Sequence, residues 1–182
     1  MYRMKIKSVV ASVLLLMLTE LASAAIPPAP VLSDGPDLPS PLCDRLQVPD
    51  GNKLAFQVYA DGVQIYRWDG SSWVFVEPAA TLFADANNEG KVGVHFRGPA
   101  WQSNSGSKVV GARLFGCTPD TTAIPWLLLE AVSTAGPGIF SSVTYIQRVN
   151  TTGGLAPSAP GSAIGETVQI PYTAEYYFYR EQ

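Results

Sequence analysis

The sequence predicts an all-β fold: a single-domain antiparallel β-sandwich or squat barrel of about nine to ten short strands with hairpin connections. Short runs in which apolar and polar residues alternate fill most of the chain after residue 50. Turn residues, among them Asp-Gly, Asn-Ser-Gly and Gly-Pro-Gly, separate these runs every eight to twelve residues or so. The sequence shows no sustained amphipathic helical pattern and no repeat of fixed period.

Residues 1–24 have the pattern of a secretory signal peptide. Arg3, Lys5 and Lys7 precede an apolar run over residues 9–18, and Ala22-Ser23-Ala24 supplies a small-residue cleavage site. The apolar run is shorter than the roughly 20 residues that span a bilayer. We therefore expect cleavage near Ala24 and export to the periplasm or the cell exterior, with no membrane span in the mature chain. Residues 25–41 then form a Pro-rich flexible leader, and residues 42–182 a single all-β domain.

The charge pattern excludes two classes of partner. The 182-residue chain has a formal net charge of −3, and loss of residues 1–24 removes three basic residues and one acid, which leaves −5. After residue 24, lysine and arginine form no cluster. Nucleic acid and anionic membrane surfaces both need such a cluster, so we expect neither as a partner.

Cys43 and Cys117 are the two cysteines of the chain. An even pair in an exported protein favours a disulfide, which would stabilise the fold by about 4 kcal/mol on the chain-entropy model. Two buried thiols are the alternative, because the sequence does not place the two Cα atoms within bridging distance.

Residues 53–77 predict a three-stranded meander with type I′ turns at Asp61-Gly62 and Asp69-Gly70. Two-residue turns set a register in which Val58 faces Ile65, Ile65 faces Val74, and Tyr66 faces Trp73. One face is then aliphatic and predicted to be core: Leu54, Phe56, Val58, Val63, Ile65, Val74 and Val76. The other face is aromatic and amide-bearing: Gln57, Tyr59, Gln64, Tyr66, Trp68, Trp73 and Phe75.

The remaining runs predict further strands. Residues 81–96 form a hairpin whose loop, residues 85–90, resembles half of an EF-hand calcium loop but lacks the bidentate glutamate, so a polar turn is favoured. Residues 108–115 form a strand. Residues 124–134 fit either a helix or a buried strand, and the flanking proline and glycine favour a strand that pairs with residues 142–149. Residues 167–170 and 174–180 close the domain, with Tyr176 and Phe178 on one face and Tyr177 and Tyr179 on the other.

Catalytic motifs are largely excluded. His95 is the single histidine, so a two-histidine metal site cannot form, and the sequence has no nucleophile elbow, phosphate loop or dinucleotide fingerprint. We therefore expect no catalytic residues, no metal and no cofactor. A carboxylate pair remains open as an alternative, because two acids need only be close in space.

Aromatic side chains lie beside amides and guanidinium groups in three places. This combination is typical of sites for carbohydrates or small polar ligands. The alternative, and the commoner arrangement, is a second face covered by loops whose polar groups are satisfied internally. The candidate ligand-binding residues are Tyr66, Trp73, His95, Arg97, Trp101, Gln102, Tyr145, Gln147, Arg148 and Asn150.

Several sequence blocks together resemble the family called domain of unknown function 3455. The resemblance covers about residues 42–180 and implies an exported all-β protein of microbes and fungi without an established activity or known catalytic residues. The position of Trp68 is often cysteine in that family, and residues 158–161 lack a second such cysteine. The blocks are GVQIYRW (62–68), WVFVEPAATLF (73–83), GKVGVHFRGPAW (90–101), GSKVVG (106–111), IPWLLL (124–129), YIQRVNT (145–151) and YTAEYYFYR (172–180).

Three functions are consistent with these observations. The first is a non-enzymatic exported β-domain that binds a polysaccharide or another polar surface of the cell envelope through aromatic and amide side chains. The second is a hydrolase of envelope or extracellular carbohydrate that uses His95 or a carboxylate pair. The third is a structural or stress-related envelope protein without a small ligand.

Overall fold

The computed structural model describes residues 35–182, in which eight antiparallel strands form one closed barrel. The strands follow one another around the barrel in chain order, and the last pairs with the first. They are β1 (Asn52–Trp68), β2 (Trp73–Phe83), β3 (Lys91–Phe96), β4 (Ala100–Ser103), β5 (Lys108–Cys117), β6 (Trp126–Ala135), β7 (Tyr145–Gly153) and β8 (Thr167–Glu181). The predicted signal peptide and residues 25–34 of the predicted leader lie outside the described residues.

The prediction of an all-β fold with hairpin connections is confirmed, with the strands in a squat barrel. The strand number is lower than predicted because β1 and β8 each run through a position where a break was expected. Residues 167–170 and 174–180 belong to one strand, β8, which passes through Pro171. Among residues 35–182, no helix has the length and apolar character needed to cross a membrane.

The predicted turn at Asp61-Gly62 is wrong, because β1 continues through both residues. Asp61 pairs with Thr81 on β2 and also lies in register with β8. A strand with a neighbour on each side completes two ladders of backbone hydrogen bonds, which outweighs a local preference for a turn. Gly62 has a different role: a Cβ built on it would overlap the carbonyl oxygen of Ala79 and the Cα and Cβ of Ala80. The glycine allows β1 and β2 to approach closely.

The missing turn changes which residues of β1 face inward. Alternation from Val58 and Ala60 continues through Gly62 to Gln64 and Tyr66, which are 2% and 8% exposed. The prediction of a core face at Val63, Ile65 and Val74 is therefore wrong, and Val74 is 43% exposed. Phe56 and Val58 do pack in the barrel interior, as predicted.

The second predicted turn, at Asp69-Gly70, is present but longer than expected. It occupies residues 69–72, and Asp69 Oδ1 accepts the backbone N–H groups of Ser71 and Ser72, at 2.8 Å each. Trp68 consequently pairs with Trp73, and Tyr66 pairs with Phe75. The predicted pairs Tyr66–Trp73 and Ile65–Val74 are wrong because this turn is longer than two residues. The predicted pair Val58–Ile65 is wrong because both residues lie on the continuous strand β1.

The other strand predictions hold with shifted boundaries. Residues 81–96 form the β2–β3 hairpin, residues 108–115 belong to β5, and the ambiguous segment after residue 124 is the strand β6. In the β2–β3 loop, Asp85 Oδ1 accepts the N–H groups of Asn87 and Glu89. The carboxylate is thus used in turn chemistry, as expected.

A second apolar cluster lies outside the barrel, where residues 38–48 cross β5 to β8. We call it the outer cluster: Cys43, Leu46, Cys117, Trp126, Leu128, Val149, Tyr177 and Tyr179. The predicted disulfide is confirmed, with 5.4 Å between the Cα atoms of Cys43 and Cys117. Gln147 on β7 donates to the carbonyl oxygen of Leu46 at 2.7 Å. The disulfide and this hydrogen bond hold the segment against the barrel.

Candidate ligand cavity

One end of the barrel contains a cavity of about 580 Å³ that is partly open to solvent. All eight strands contribute to its lining, near the end where β1 finishes and β2 begins. Ligand sites in proteins usually occupy about 300–1,000 Å³, and barrel mouths are among their common locations. Apolar side chains form much of the wall: Phe75, Pro78, Pro99, Ile124, Leu127 and Leu129.

His95, Trp101 and Tyr176 form an aromatic group in the wall of the cavity. His95 stacks on Trp101 with 4.5 Å between the ring centroids and 11° between the planes. Tyr176 meets both rings edge-on, at 5.2 Å from His95 and 5.4 Å from Trp101. All three side chains are almost fully buried, so the group forms a fixed wall.

The hydrogen bond of His95 fixes its tautomer. Its Nδ1 lies 2.9 Å from the carbonyl oxygen of Ala100, which can only accept, so Nδ1 carries the proton and Nε2 the lone pair. Burial lowers the pKa of His95 to about 3; the bond to Ala100 raises this pKa, and the nearby charge of Arg148 lowers it. The imidazole is therefore neutral at physiological pH and is not suited to act as a general acid.

Four buried polar atoms at or beside the cavity make no well-formed hydrogen bond within residues 35–182. They are Gln64 Nε2, Trp101 Nε1, Tyr172 Oη and Tyr176 Oη. Each of these side chains is at most 2% exposed. In contrast, the hydroxyl of Tyr66 donates to the carbonyl oxygen of Gly154 at 2.7 Å. Unpaired buried polar groups are rare and costly, so four in one place call for an explanation.

The cavity is also rich in positive charge. Arg148 on β7 contributes a half-buried guanidinium to its wall, and Arg97 and Arg113 are exposed at its rim. Arg97 pairs with Glu77, with 3.3 Å between Nε and Oε2. Glu77 is the one acidic side chain in the lining, so the lining carries a net positive charge in a chain that is acidic as a whole.

Residues 49–180 match the family described as protein of unknown function (DUF3455). The chain belongs to this family. The resemblance inferred from the sequence blocks is thus confirmed, and the match covers the whole barrel except Glu181. No curated protein and no solved structure matches the chain. The function of this DUF3455 barrel therefore has to be argued from its own residues.

Half of the ligand-binding candidates meet in the cavity of the DUF3455 barrel. Tyr66, His95, Arg97, Trp101 and Arg148 all line it, although they come from strands that are far apart in sequence. Arg148 faces inward together with Ile146, as the alternation along β7 predicts.

The other candidates lie elsewhere. Trp73 donates its indole N–H to the carbonyl oxygen of Ala159 at 2.9 Å and so holds a loop. Gln102 follows Trp101 on β4 and faces the opposite way, and Asn150 is exposed. Tyr145 packs on the outer cluster, and Gln147 Oε1 accepts from the Tyr179 hydroxyl at 2.6 Å.

Sequence reasoning missed five polar members of this region: Gln64, Glu77, Arg113, Tyr172 and Tyr176. Gln64 was assigned to an outer face because of the mistaken turn. Tyr176 was placed correctly on one face with Phe178, but it was not among the ligand-binding candidates. The sequence did contain a signal for the two tyrosines: Tyr172 and Tyr176 are four residues apart, so in a strand they lie on the same face.

The cavity contains few reactive groups of the kind that the hydrolase hypothesis requires. A carboxylate pair needs two acids, and Glu77 is the one acid among the lining residues that the structure describes. His95 makes its hydrogen bond to a backbone carbonyl. Within residues 35–182, no group of three or more His, Cys, Asp or Glu side chains is placed to hold a metal ion.

Proposed function

We propose that this DUF3455 domain is an exported, non-enzymatic binding protein whose ligand is a small molecule held inside the mouth of the barrel. The observation that carries the proposal is a set of four buried polar atoms without a well-formed hydrogen bond, three of which belong to side chains that line a cavity of ligand size. A bound molecule with hydrogen-bond acceptors would satisfy these donors and remove their desolvation cost. Closed eight-stranded barrels are wide enough to hold one small ligand.

This site differs in form from a flat sugar-binding surface. The aromatic candidates Trp101 and Tyr176 are buried in the cavity wall, and Trp73 is engaged with a loop. A polysaccharide would therefore enter with at most a terminal unit. A free sugar or another small polar compound fits the enclosed shape better.

Export is supported by two independent features. The first 24 residues have the basic, apolar and small-residue regions of a signal peptide. The disulfide between Cys43 and Cys117 is stable in oxidising compartments such as the periplasm or the cell exterior, and is rare in a reducing cytosol.

Calorimetric titration of the purified chain tests the binding proposal. The probes are glucose, N-acetylglucosamine, benzoate and benzamide, each at millimolar concentration. We expect binding of at least one probe, and loss of it in Leu127→Trp, which fills the cavity. The matched control is Val132→Trp, an exposed position on the same strand, which should retain binding. Equal binding by Leu127→Trp, or no binding of any probe, would contradict the proposal.

A further inference from the structure

Arg148 has no ion-pair partner among the residues that the structure describes. The barrel places it between Leu127 on β6 and Tyr176 on β8, in the wall of the cavity. Among residues 35–182 the one ion pair joins Arg97 and Glu77. A half-buried guanidinium without a carboxylate is costly, because its charge is partly removed from water and not compensated.

The position of the Arg148 side chain is fixed by the backbone. Its Nε and Nη2 both donate to the carbonyl oxygen of Pro125, at 3.2 and 2.7 Å. A guanidinium has five N–H donors, so these two bonds leave three without a backbone acceptor, and the Tyr176 hydroxyl is the side-chain partner beside them. The side chain is thus held rigid while part of its donor edge stays available, which is the arrangement expected of a preorganised anion site.

The positive charge of Arg148 acts on three nearby tyrosine hydroxyls. Burial raises the pKa of Tyr66, Tyr172 and Tyr176, and the nearby charge of Arg148 lowers all three. The tyrosines therefore stay protonated and keep their O–H groups as donors. The Tyr172 and Tyr176 hydroxyls lie close enough to interact with each other, and the Tyr176 hydroxyl also interacts with Arg148, although neither hydroxyl makes a well-formed hydrogen bond. The guanidinium and these two hydroxyls therefore form one connected group that contains no carboxylate.

From this arrangement we infer that the ligand is a small organic carboxylate, with its carboxylate on Arg148 and the Tyr176 hydroxyl and its apolar part against Ile124, Leu127 and Phe75. This inference rests on the proposed function and names the chemical class of its ligand. Arg148 is the one half-buried cation of the lining, since Arg97 and Arg113 are exposed at the rim, and a single half-buried charge matches a monoanion. A carboxylate accepts the parallel N–H bonds of a guanidinium. The largely apolar wall disfavours a strongly hydrated dianion such as phosphate.

The inference is tested by comparing pairs of probes that share one hydrocarbon part and differ in the head group, an anionic carboxylate or a neutral amide. Benzoate and hexanoate are titrated against benzamide and hexanamide, with inorganic phosphate as a further anion. We expect each carboxylate to bind the purified chain at least about tenfold more tightly than its amide, because hydrogen bonds to a charged group are the stronger ones. Phosphate should bind more weakly than benzoate.

Variants then locate the anion. In Arg148→Gln the ratio of carboxylate to amide affinity should fall to about one, whereas Arg148→Lys should retain part of it. The control is Arg67→Gln, which removes an exposed charge outside the cavity and should leave the ratio unchanged. Melting curves check that each variant folds. The ratio of carboxylate to amide affinity in the unmodified chain tests the inference even if a variant fails to fold.

The outcomes separate this inference from the proposed function. Equal affinity for acid and amide, tighter binding of phosphate, or an unchanged ratio in Arg148→Gln would each overturn the carboxylate inference. Sugar binding that Leu127→Trp abolishes, without any binding of the carboxylates, would overturn it while supporting a ligand cavity. Absence of binding by every acid, amide and sugar would overturn both.

Discussion

His95 stacks on Trp101 with 4.5 Å between their ring centroids, and the two rings are nearly parallel. The stack stands in the wall of the cavity and holds the single histidine of the chain in a neutral, dehydrated state. A residue that looks like an acid–base catalyst in the sequence thus serves as part of a rigid aromatic wall. Protonation of this ring would bring a charge into the barrel, which makes stability sensitive to pH.

We expect the free energy of unfolding to fall as the pH drops from about 6.5 toward 4. His95 in the unfolded chain takes up a proton near its usual pKa of 6.5, whereas in the barrel burial lowers that pKa to about 3. The unfolded state therefore binds more protons in this window, and stability falls with pH at up to about 1.4 kcal/mol per pH unit.

Urea unfolding at pH values from 7 to 5 measures this effect in the unmodified chain and in His95→Gln. The lowered carboxyl pKa of Asp69, about 2, and those of Asp120 and Glu166 are set by hydrogen bonds to nearby backbone and hydroxyl groups. Because the usual carboxyl pKa values lie near 4, these groups act below the window. The slope between pH 6.5 and 5 should nearly vanish in His95→Gln. An identical slope in both proteins would show that His95 is not buried as described.

Removal of the hydroxyl from Tyr66 and from Tyr176 gives two comparable variants with different expected effects on stability. Tyr66→Phe removes a bond to the carbonyl oxygen of Gly154 and leaves that oxygen unpaired, so we expect a loss of about 1 kcal/mol or more. Tyr176→Phe removes a buried hydroxyl that interacts with Tyr172 and Arg148 without a well-formed hydrogen bond, so the ligand-free protein should keep or slightly gain stability. Chemical denaturation of both variants makes the comparison. A larger loss for Tyr176→Phe than for Tyr66→Phe would mean that the Tyr176 hydroxyl is satisfied without a ligand.

Substitutions at residues 61 and 62 distinguish a continuous strand from a turn. Asp61→Thr should change the free energy of unfolding by less than about 1 kcal/mol, since threonine suits an exposed strand position. Gly62→Ala should cost about 1–3 kcal/mol, because its Cβ would overlap Ala79 and Ala80. A severe loss from Asp61→Thr would favour the type I′ turn instead.

Removal of the disulfide should loosen the outer segment and lower stability. The double variant Cys43→Ser/Cys117→Ser loses a constraint across a sequence separation of 74 residues, which contributes about 4 kcal/mol on the chain-entropy model. We expect limited proteolysis to cut near residues 38–48 first, before the barrel strands. Reduction of the unmodified chain should reproduce the effect. Unchanged stability in both experiments would mean that the hydrogen bond from Gln147 and the apolar contacts suffice.

The sequence predicts which residues of a strand share a face, even where both faces are buried. On β8, Tyr176 and Phe178 lie on the opposite face from Tyr177 and Tyr179, as predicted; the first pair enters the barrel interior and the second joins the outer cluster. It was harder to predict which of the two faces of a strand points into the barrel. At Asp61-Gly62 the turn preference is local, whereas the ladders with β2 and β8 depend on strands that lie far away in sequence.

The prediction of the site was also limited because it depends on the pairing of strands that are distant in sequence. His95, Arg97 and Trp101 lie close together in sequence and could be selected as a group from their residue types. Gln64 reaches the cavity because β1 continues past residue 62, and Tyr176 reaches it because β8 closes the barrel. Neither fact is visible without knowledge of the strand order. The unpaired state of Arg148 is likewise a property of the assembled barrel.

A crystal structure of the chain grown with benzoate tests the central claim most directly. The account predicts a benzoate inside the barrel mouth, with a carboxylate oxygen about 2.7–3.0 Å from the Arg148 guanidinium and within hydrogen-bond distance of the Tyr176 hydroxyl. Its ring should lie against Leu127 and Ile124. Benzoate bound outside the barrel, or a cavity that excludes it at saturating concentration, would contradict the account.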